Sequence, residues 1–321
     1  MNHSVKVLRR RASVFLSRNM FVLLLLVLFN GTTAAAGKLS IGISVSDLGN
    51  PYFVQIARGA ESKARELVGD DAEIVVVSSA YDVQRQIAQI DDFIARKMDM
   101  ILLSAASYEG VEVAVRRARE AGVKVLAVDV KAKGADATVT TDNIQAGKIA
   151  CEYLVSQLKG KGNIVIINGP QVSSVKERVR GCTSVLSEFP EIQLLSSDKN
   201  GGGSREGGLE TMTFLLTAFP RIDGVFAIND PSAMGAVQAA QQALRDDFLI
   251  VAVDGAPVAE QQLRVPNSLL RATAAQFPNR MAAKAVEIGY QLMNGEVLEQ
   301  NTVLIPAELV TVETVDTYKG W

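Results

Sequence analysis

The sequence predicts an α/β protein built from two similar lobes, each around a parallel sheet. From Lys38 onward, short β-branched runs alternate with amphipathic segments, which is the pattern of successive βα units. The pattern then recurs at a nearly constant displacement, since Ile41 to Val165 and Met100 to Gly224 are each 124 residues apart. This period is too long for a solenoid repeat and therefore indicates two similar domains.

Apolar runs in the first half predict four strands in a sheet that helices cover on both faces. The predicted strands are Leu39–Val45, Glu73–Ser78, Met100–Ser104 and Val123–Val128, and the predicted helices are Tyr52–Leu67, Val83–Arg96 and Glu109–Ala121. In the second half, the predicted strands are Asn163–Ile167, Gln193–Ser197, Gly224–Ile228 and Phe248–Val253, and the predicted helices are Ile144–Leu158, Val175–Phe189, Gly207–Phe219 and Ser232–Leu244.

The C-terminal segments are too short for a third domain, so we expect them to add elements to the two lobes. They comprise a strand at Leu269–Gln276, a helix at Pro278–Met293 and a stretch at Thr302–Val312.

Residues 1–36 predict a secretory signal peptide that takes no part in the fold. Five basic side chains and no acidic one precede the uninterrupted apolar run Met20–Phe29, and the small-residue pattern Ala34-x-Ala36 follows. These ten apolar residues are too few to cross the roughly 30 Å of a bilayer's hydrocarbon core. We expect cleavage near Ala36 and a periplasmic location; the alternative is an uncleaved N-terminal anchor.

Charge and composition exclude several classes of function. Without the signal peptide, 28 basic residues face 35 acidic ones, a net charge near −7 that disfavours a nucleic-acid partner. The only histidine, His3, lies in the removed segment. A Ser-His-Asp triad, a histidine base and a His-ligated metal are therefore excluded. We expect no catalytic residue, no cofactor and no metal site.

Cys151 and Cys182 are the only two cysteines. In an exported protein they could form one disulfide. Both lie in predicted helices among apolar neighbours, and we favour buried free thiols over the disulfide.

Polar and aromatic residues follow the first predicted strand, at the end where ligands bind in open parallel sheets. Asn50-Pro51 is typical of a helix N-cap, and a cap without further role is one interpretation of Asn50. Tyr52 and Phe53 follow at once, where an aromatic face could cover the C–H side of a bound ring. Ser46 adds a hydroxyl nearby. If the two sheets face one another, their strand ends line a single cleft.

Asp129 and Asp254 end the last strands of the two halves, in the similar sequence segments Leu126–Asp129 and Val251–Asp254. A carboxylate there can accept two hydrogen bonds from neighbouring hydroxyls. The alternative is that each caps the next turn, and Asp254-Gly255-Ala256-Pro257 has the composition of a turn. Because the repeat places both acids at the same level, we predict that both bind ligand.

Three further residues are candidates for the cleft. The Arg178 guanidinium only donates hydrogen bonds, and its rigid forked geometry suits oxygen acceptors. The alternative is that Arg178 lies on a solvated helix face. Asn229 follows a strand as Asn50 does; we expect Asp230 to be the helix cap, which leaves the Asn229 amide free to face the cleft. Gln276 and the segment Thr141–Asn143 mark crossings between the lobes. Gly201–Ser204 lacks the ending of a P-loop, and we interpret it as a flexible loop.

Taken in their order along the chain, the motifs resemble those of the periplasmic ribose-type sugar-binding proteins of ABC transporters. The resemblance extends over essentially the whole mature chain. The resemblance implies two doubly wound parallel-sheet lobes joined by a three-segment hinge, with the ligand enclosed in the cleft between them. It places residues 38–141 and 277–304 in the N-terminal lobe, and residues 142–276 and 305–321 in the C-terminal lobe. The motifs are Ser46, Asn50–Phe53, Val128-Asp129, Thr141–Asn143, Lys176–Arg178, Phe226–Asp230, Asp254–Pro257 and Ala275-Gln276.

The resemblance also implies roles and partners. Sugar oxygens are expected to bond to Asp129, Arg178, Asn229, Asp254 and Gln276, with Tyr52 and Phe53 as stacking aromatics and Asn50, Ser46 and Thr141 as further contacts. The implied partners of this monomer are a monosaccharide or polyol ligand and an ABC-type inner-membrane permease. The alternative is a sensing role, with a chemoreceptor or sensor kinase as the membrane partner.

Three positions depart from the ribose-binder pattern. Val130 stands where those proteins have an arginine, Gly203 where they have an aromatic residue, and Ala105 where they have an asparagine. The departures favour a larger sugar, a sugar alcohol or another polyhydroxy solute over ribose.

Overall fold

The computed structural model describes residues 38–321, and the predicted signal peptide lies outside the described residues. The strands are β1 (Leu39–Val45), β2 (Ala72–Ser78), β3 (Met100–Leu103), β4 (Lys124–Val128), β5 (Ala137–Thr141), β6 (Lys161–Ile167), β7 (Glu191–Ser196), β8 (Gly224–Ala227), β9 (Leu249–Asp254), β10 (Leu270–Ala275), β11 (Thr302–Ile305) and β12 (Glu308–Thr311). The helices are α1 (Pro51–Val68), α2 (Val83–Ala95), α3 (Glu112–Glu120), α4 (Asn143–Gln157), α5 (Ser173–Leu186), α6 (Arg205–Ala218), α7 (Asp230–Gln242), α8 (Pro257–Leu263) and α9 (Pro278–Met293). Within this part of the chain, no helix has the length and apolar character needed to span a membrane.

The described strands form two six-stranded sheets whose strand orders correspond. The first sheet has the order β2-β1-β3-β4-β5-β11, and the second has β7-β6-β8-β9-β10-β12. Neighbouring strands pair in parallel, except that β12 is antiparallel to β10. The result confirms the predicted fold class of two similar parallel-sheet lobes. Each sheet directs the carboxyl ends of its parallel strands to one edge, where ligands bind in such folds.

An apolar core covers both faces of the first sheet. Every residue of β3 is buried, and its side chains alternate between the faces. Leu102 packs with Ile56 and Met281 on the α1–α9 side, whereas Ile101 packs with Phe93 on the α2–α3 side. Burial of each such side chain contributes about 1.5–3 kcal/mol. This packing fixes the strand ends from which the cleft residues project.

The C-terminal part of the sequence divides between the two sheets. The stretch Thr302–Val312 splits into β11, in the first sheet, and β12, in the second. Three elements were not predicted, the strand β5, the short helix α8 and a 3₁₀ turn at Gly69–Asp71. The chain passes between the sheets at three places: after β5, after β10 and between β11 and β12.

The helices α4 and α5 cross at very short distance because each has a glycine at the contact. A Cβ atom on Gly147 would lie 2.1 Å from the Arg178 carbonyl oxygen, and one on Gly181 would lie 2.1 Å from the Ile144 carbonyl oxygen. Any larger side chain would force the helices apart. The crossing therefore fixes the position of Arg178 relative to the N-terminus of α4.

Cys151 of α4 and Cys182 of α5 form a buried disulfide, so the expectation of free thiols is wrong. Their Cα atoms are 5.1 Å apart, within the range that a disulfide spans. The expectation failed because it considered each helix alone, whereas the glycine crossing brings the two cysteines together. The disulfide links the two helices next to Arg178.

We expect replacement of both cysteines by alanine to destabilise the protein. The disulfide joins residues 31 positions apart, and a loop of that length corresponds to about 3–4 kcal/mol of stabilisation, chiefly through the unfolded chain. Urea unfolding of the wild type and of the Cys151→Ala/Cys182→Ala variant measures the difference. Two free thiols titrated in the unreduced, unfolded wild type would contradict the assignment.

Candidate ligand-binding cleft

A cavity lies between the lobes, where the carboxyl ends of the strands of both sheets face each other. It has about 430 Å³ of empty space including its solvent-open mouth, and its interior is narrow. Nine of the ten predicted site residues line it: Ser46, Asn50, Tyr52, Phe53, Asp129, Arg178, Asn229, Asp254 and Gln276.

Thr141, the tenth predicted residue, does not line this cavity. It is fully buried at the end of β5, and its hydroxyl contacts the Met281 sulfur at 3.7 Å. The structure therefore places this side chain in the packing between β5 and α9.

The two aspartates occupy equivalent positions, Asp129 directly after β4 and Asp254 at the end of β9. Both have positive φ angles, 70° and 140° respectively. Side chains with a Cβ rarely adopt this region, and such residues persist where the surrounding structure holds them. For Asp129, the Thr140 hydroxyl donates to its carbonyl oxygen at 2.5 Å.

A chain of polar contacts joins the two carboxylates across the lobes. The Tyr52 hydroxyl donates to Asp129 Oδ1 at 2.9 Å and lies 3.4 Å from Gln276 Oε1. The Gln276 amide in turn donates to Asp254 Oδ1 at 2.7 Å. Tyr52 belongs to α1, and Gln276 follows β10, so the contacts link the two sheets. Among the described residues, no hydrogen bond reaches Oδ2 of either aspartate, which leaves one acceptor oxygen on each.

Arg178 is the buried cation of the cleft, with 5% of its surface exposed. Its Nε donates to Asn143 Oδ1 at 2.8 Å and its Nη1 to the Ile228 carbonyl at 2.9 Å. Nη1 also lies 3.6 Å from Asp254 Oδ1. Within the described chain Nη2 has no hydrogen-bond partner, so the guanidinium keeps donor capacity.

Asn229, not Asp230, is the N-cap of α7, which corrects the sequence interpretation. Asn229 has the extended backbone of a cap, and its Oδ1 accepts from the Ser232 N–H at 3.1 Å. Its Nδ2 donates to the Gly203 carbonyl at 2.9 Å, yet the residue still lines the cavity. Asp230 is fully buried and accepts from the Ala256 N–H at 2.7 Å.

Asn50 is the N-cap of α1 and also lies at the edge of the cavity. Its Oδ1 accepts from the Tyr52 N–H at 3.0 Å. The rings of Tyr52 and Phe53 meet edge to face at a centroid distance of 5.4 Å. The first turn of α1 therefore brings two aromatic rings to the cleft.

Sequence reasoning missed Tyr81, which lines the cavity from the loop between β2 and α2. Ala80 and Tyr81 have successive positive φ angles of 51° and 58°. No glycine or asparagine marks this turn in the sequence. The available signal was position alone, because Tyr81 follows a predicted strand at the edge that carries the other cleft residues.

Burial governs the ionisation of the cleft. It raises the pKa of Asp254 to about 6, although Arg178 and Gln276 favour the charged form. Burial likewise raises the pKa of Asp129, against the opposing effects of Arg178 and Tyr52. The pKa of Tyr52 is also raised, by burial and by the Asp129 charge. Two carboxyl groups therefore share one guanidinium, and the cleft offers acceptors, amides and aromatic faces.

The side chains that line the cleft can form hydrogen bonds with a polar solute. In residues 38–321 no three His, Cys, Asp or Glu side chains lie close enough to hold a metal ion. Both cysteines are in the disulfide. What converges in the cleft are groups that hold a polar solute.

The two facing parallel-sheet lobes and the polar cleft between them define a solute receptor. Residues 41–297 match the family model described as periplasmic binding protein domain. The chain belongs to this family.

Similar proteins match this chain over most of their length. The ribose import binding protein of Escherichia coli is 31% identical over 268 residues, which cover 83% of this chain and 88% of that protein. The xylitol-binding protein of Mycolicibacterium smegmatis is 29% identical over 290 residues, 89% of this chain and 80% of that protein. The crystal structure of a periplasmic solute-binding protein from Actinobacillus succinogenes with bound D-allose has a TM-score of 0.80 at 26% identity, covering 88% of this chain and all of that one.

The raised pKa of Asp254 predicts a pH dependence of stability in the ligand-free protein. A carboxyl group whose pKa is higher in the folded state favours folding when protonated, so this contribution is present below about pH 4 and is lost as the pH rises through about 6. Relative to the wild type, Asp254→Asn is therefore expected to gain on the order of 2 kcal/mol between pH 4 and pH 7. Urea unfolding across this range measures it.

The matched control is Asp91→Asn, which removes an exposed carboxylate on α2 that pairs with Arg117. This control should follow the wild-type pH dependence. Equal pH dependence in Asp254→Asn and the wild type would contradict the raised pKa.

Proposed function

We propose that the protein is a periplasmic receptor that encloses one monosaccharide or polyol between its lobes and delivers it to an ABC importer. The observation that carries the proposal is the convergence of Asp129, Asp254 and Arg178, all buried, at the facing strand ends of two sheets. Relatives named for ribose and xylitol, and the similar structure with bound D-allose, support the same class of ligand.

The hydrogen-bonding groups suit a molecule with many hydroxyls. A hydroxyl both donates and accepts, so it can donate to a free aspartate oxygen and accept from Arg178. Hydrogen bonds to charged groups contribute about 1.5–3 kcal/mol each. A few of them, together with ring contacts to Tyr52 and Phe53, suffice for micromolar affinity, which corresponds to about −8 kcal/mol.

Charge and size narrow the ligand class further. An anionic solute would face two carboxylates and a single guanidinium, so we propose an uncharged ligand. The narrow interior favours one small ring or chain over an oligosaccharide, and entry of a sugar then requires the lobes to open. Burial also gives selectivity, since each hydroxyl or carboxylate left without a partner costs about 1–3 kcal/mol.

Two of the three positions that depart from the ribose-binder pattern line the cleft, one from each lobe. Val130 and Gly203 both line it, whereas Ala105 is buried outside the lining. Gly203 has a φ of 70°, so an aromatic side chain would be strained there. Tyr81 lies in the same cavity and adds a phenol. We propose that these differences in the cavity lining select a ligand other than ribose.

Transport and sensing differ in what happens after the lobes close. We place the protein in import, and we propose that it binds its ligand without converting it. Loss of uptake of the labelled ligand in a deletion strain supports import. Unchanged uptake with loss of ligand-dependent gene expression would instead assign the protein to a sensory pathway, with a chemoreceptor or kinase as its partner.

A screen of aldoses, ketoses and polyols by thermal shift and calorimetry is expected to give one ligand class with 1:1 stoichiometry. Asp254→Ala should weaken that binding by about 10- to 150-fold, because the charge-assisted hydrogen bond to the free carboxylate oxygen is lost. The bound ligand should be recovered chemically unchanged.

Asp91→Ala is the control for this experiment, because it removes an exposed carboxylate outside the cleft. It should bind as the wild type does. Wild-type affinity in Asp254→Ala would place the ligand elsewhere and exclude the proposed site.

A further inference from the structure

The turn that carries Asp254 has a backbone conformation that needs support. Asp254 has a φ of 140° and Gly255 a φ of 71°. Positive φ at a residue with a Cβ costs free energy unless surrounding contacts maintain it. The position of this carboxylate therefore depends on the groups that hold the turn.

Two aromatic side chains from the segment after β12 hold this turn from outside the cavity. The Trp321 indole N–H donates to the Asp254 carbonyl oxygen at 2.8 Å. The Tyr318 hydroxyl donates to the Gly255 carbonyl oxygen at 2.9 Å. Neither aromatic residue lines the ligand cavity. Together with the Gln276 N–H, which also donates to the Asp254 carbonyl oxygen at 2.8 Å, these contacts support the backbone that directs the Asp254 side chain into the cavity.

Trp321 also contacts the other lobe. Its ring meets the Tyr52 ring edge to face, at a centroid distance of 5.9 Å and an angle of 84°. Trp321 packs against the apolar core that surrounds α1 and α9, whereas Tyr318 packs against a core of the second sheet. The segment thus touches a cleft residue of each lobe.

We infer that Tyr318 and Trp321 of residues 318–321, the strap, fix Asp254 for ligand binding, and that Trp321 connects the two lobes. Trp321 is a positioning residue, since it acts through the Asp254 backbone and the Tyr52 ring. The ligand-binding part of this inference rests on the proposed function. The docking of the strap across the lobes does not.

Docking can be tested without any ligand, because Trp321 is the only tryptophan of the chain. All tryptophan fluorescence therefore reports on the strap. We expect blue-shifted emission and weak iodide quenching in the native protein, compared with the urea-unfolded protein. Equal emission and equal quenching in the two states would overturn the docking of the strap.

The positioning role is tested by calorimetry with the ligand class found in the screen. Trp321→Phe keeps a ring but removes the N–H donor, and it should weaken binding about three- to tenfold, the effect of one neutral hydrogen bond. Tyr318→Phe removes the other donor and should act in the same direction. Lys319→Ala, an exposed neighbour in the same segment, is the matched control and should bind as the wild type does.

A double-mutant cycle separates positioning from a general structural role. If Trp321 acts through Asp254, Trp321→Phe should weaken binding less in the Asp254→Asn background than in the wild type. An undiminished effect, or wild-type affinity in both Trp321→Phe and Tyr318→Phe, would overturn the positioning role. If the wild type binds no sugar or polyol, the proposed function and this role both fail, and the fluorescence result still decides whether the strap is docked.

Discussion

The cleft depends on one electrostatic constraint, the burial of two carboxyl groups beside a single guanidinium. Asp129 and Asp254 lie at equivalent strand ends of the two sheets, and Arg178 lies 3.6 Å from the nearer oxygen of Asp254. Burial disfavours the charged carboxylates, while hydrogen bonds from Tyr52 and Gln276 offset part of that cost. The rest of the fold holds the two carboxyl groups and the guanidinium in these positions. We propose that a ligand hydroxyl supplies the partner that each free oxygen otherwise lacks within the described chain.

The position of Arg178 is set by contacts of residues that do not line the cavity. The glycine crossing of α4 and α5 and the Cys151–Cys182 disulfide fix the helix that carries it. Asn143, at the start of α4, orients its guanidinium through Nε. Asp254 is likewise held from behind, by Tyr318 and Trp321. Packing and hydrogen bonds outside the cavity thus determine how precisely the cleft presents its charges.

Sequence patterns predicted what local periodicity and position encode. The apolar runs predicted β1, β3 and β9, and strand-end position brought Asp129 and Asp254 to one cavity. Features that depend on tertiary contact were missed. The threonine-rich β5 is a strand because it pairs with β4 and β11, and the disulfide forms because two helices meet at glycines. Tyr81 reaches the cavity through a turn with positive φ angles, and no glycine or asparagine in the sequence indicates this turn.

We propose that equivalent strand ends of both lobes contact a single ligand. A crystal structure of the protein with the best ligand from the screen is the decisive experiment. We expect ligand hydroxyls within hydrogen-bond distance of both Asp129 and Asp254, with Arg178 donating to a ligand oxygen. A ligand bound to one lobe alone, or outside this cavity, would contradict it.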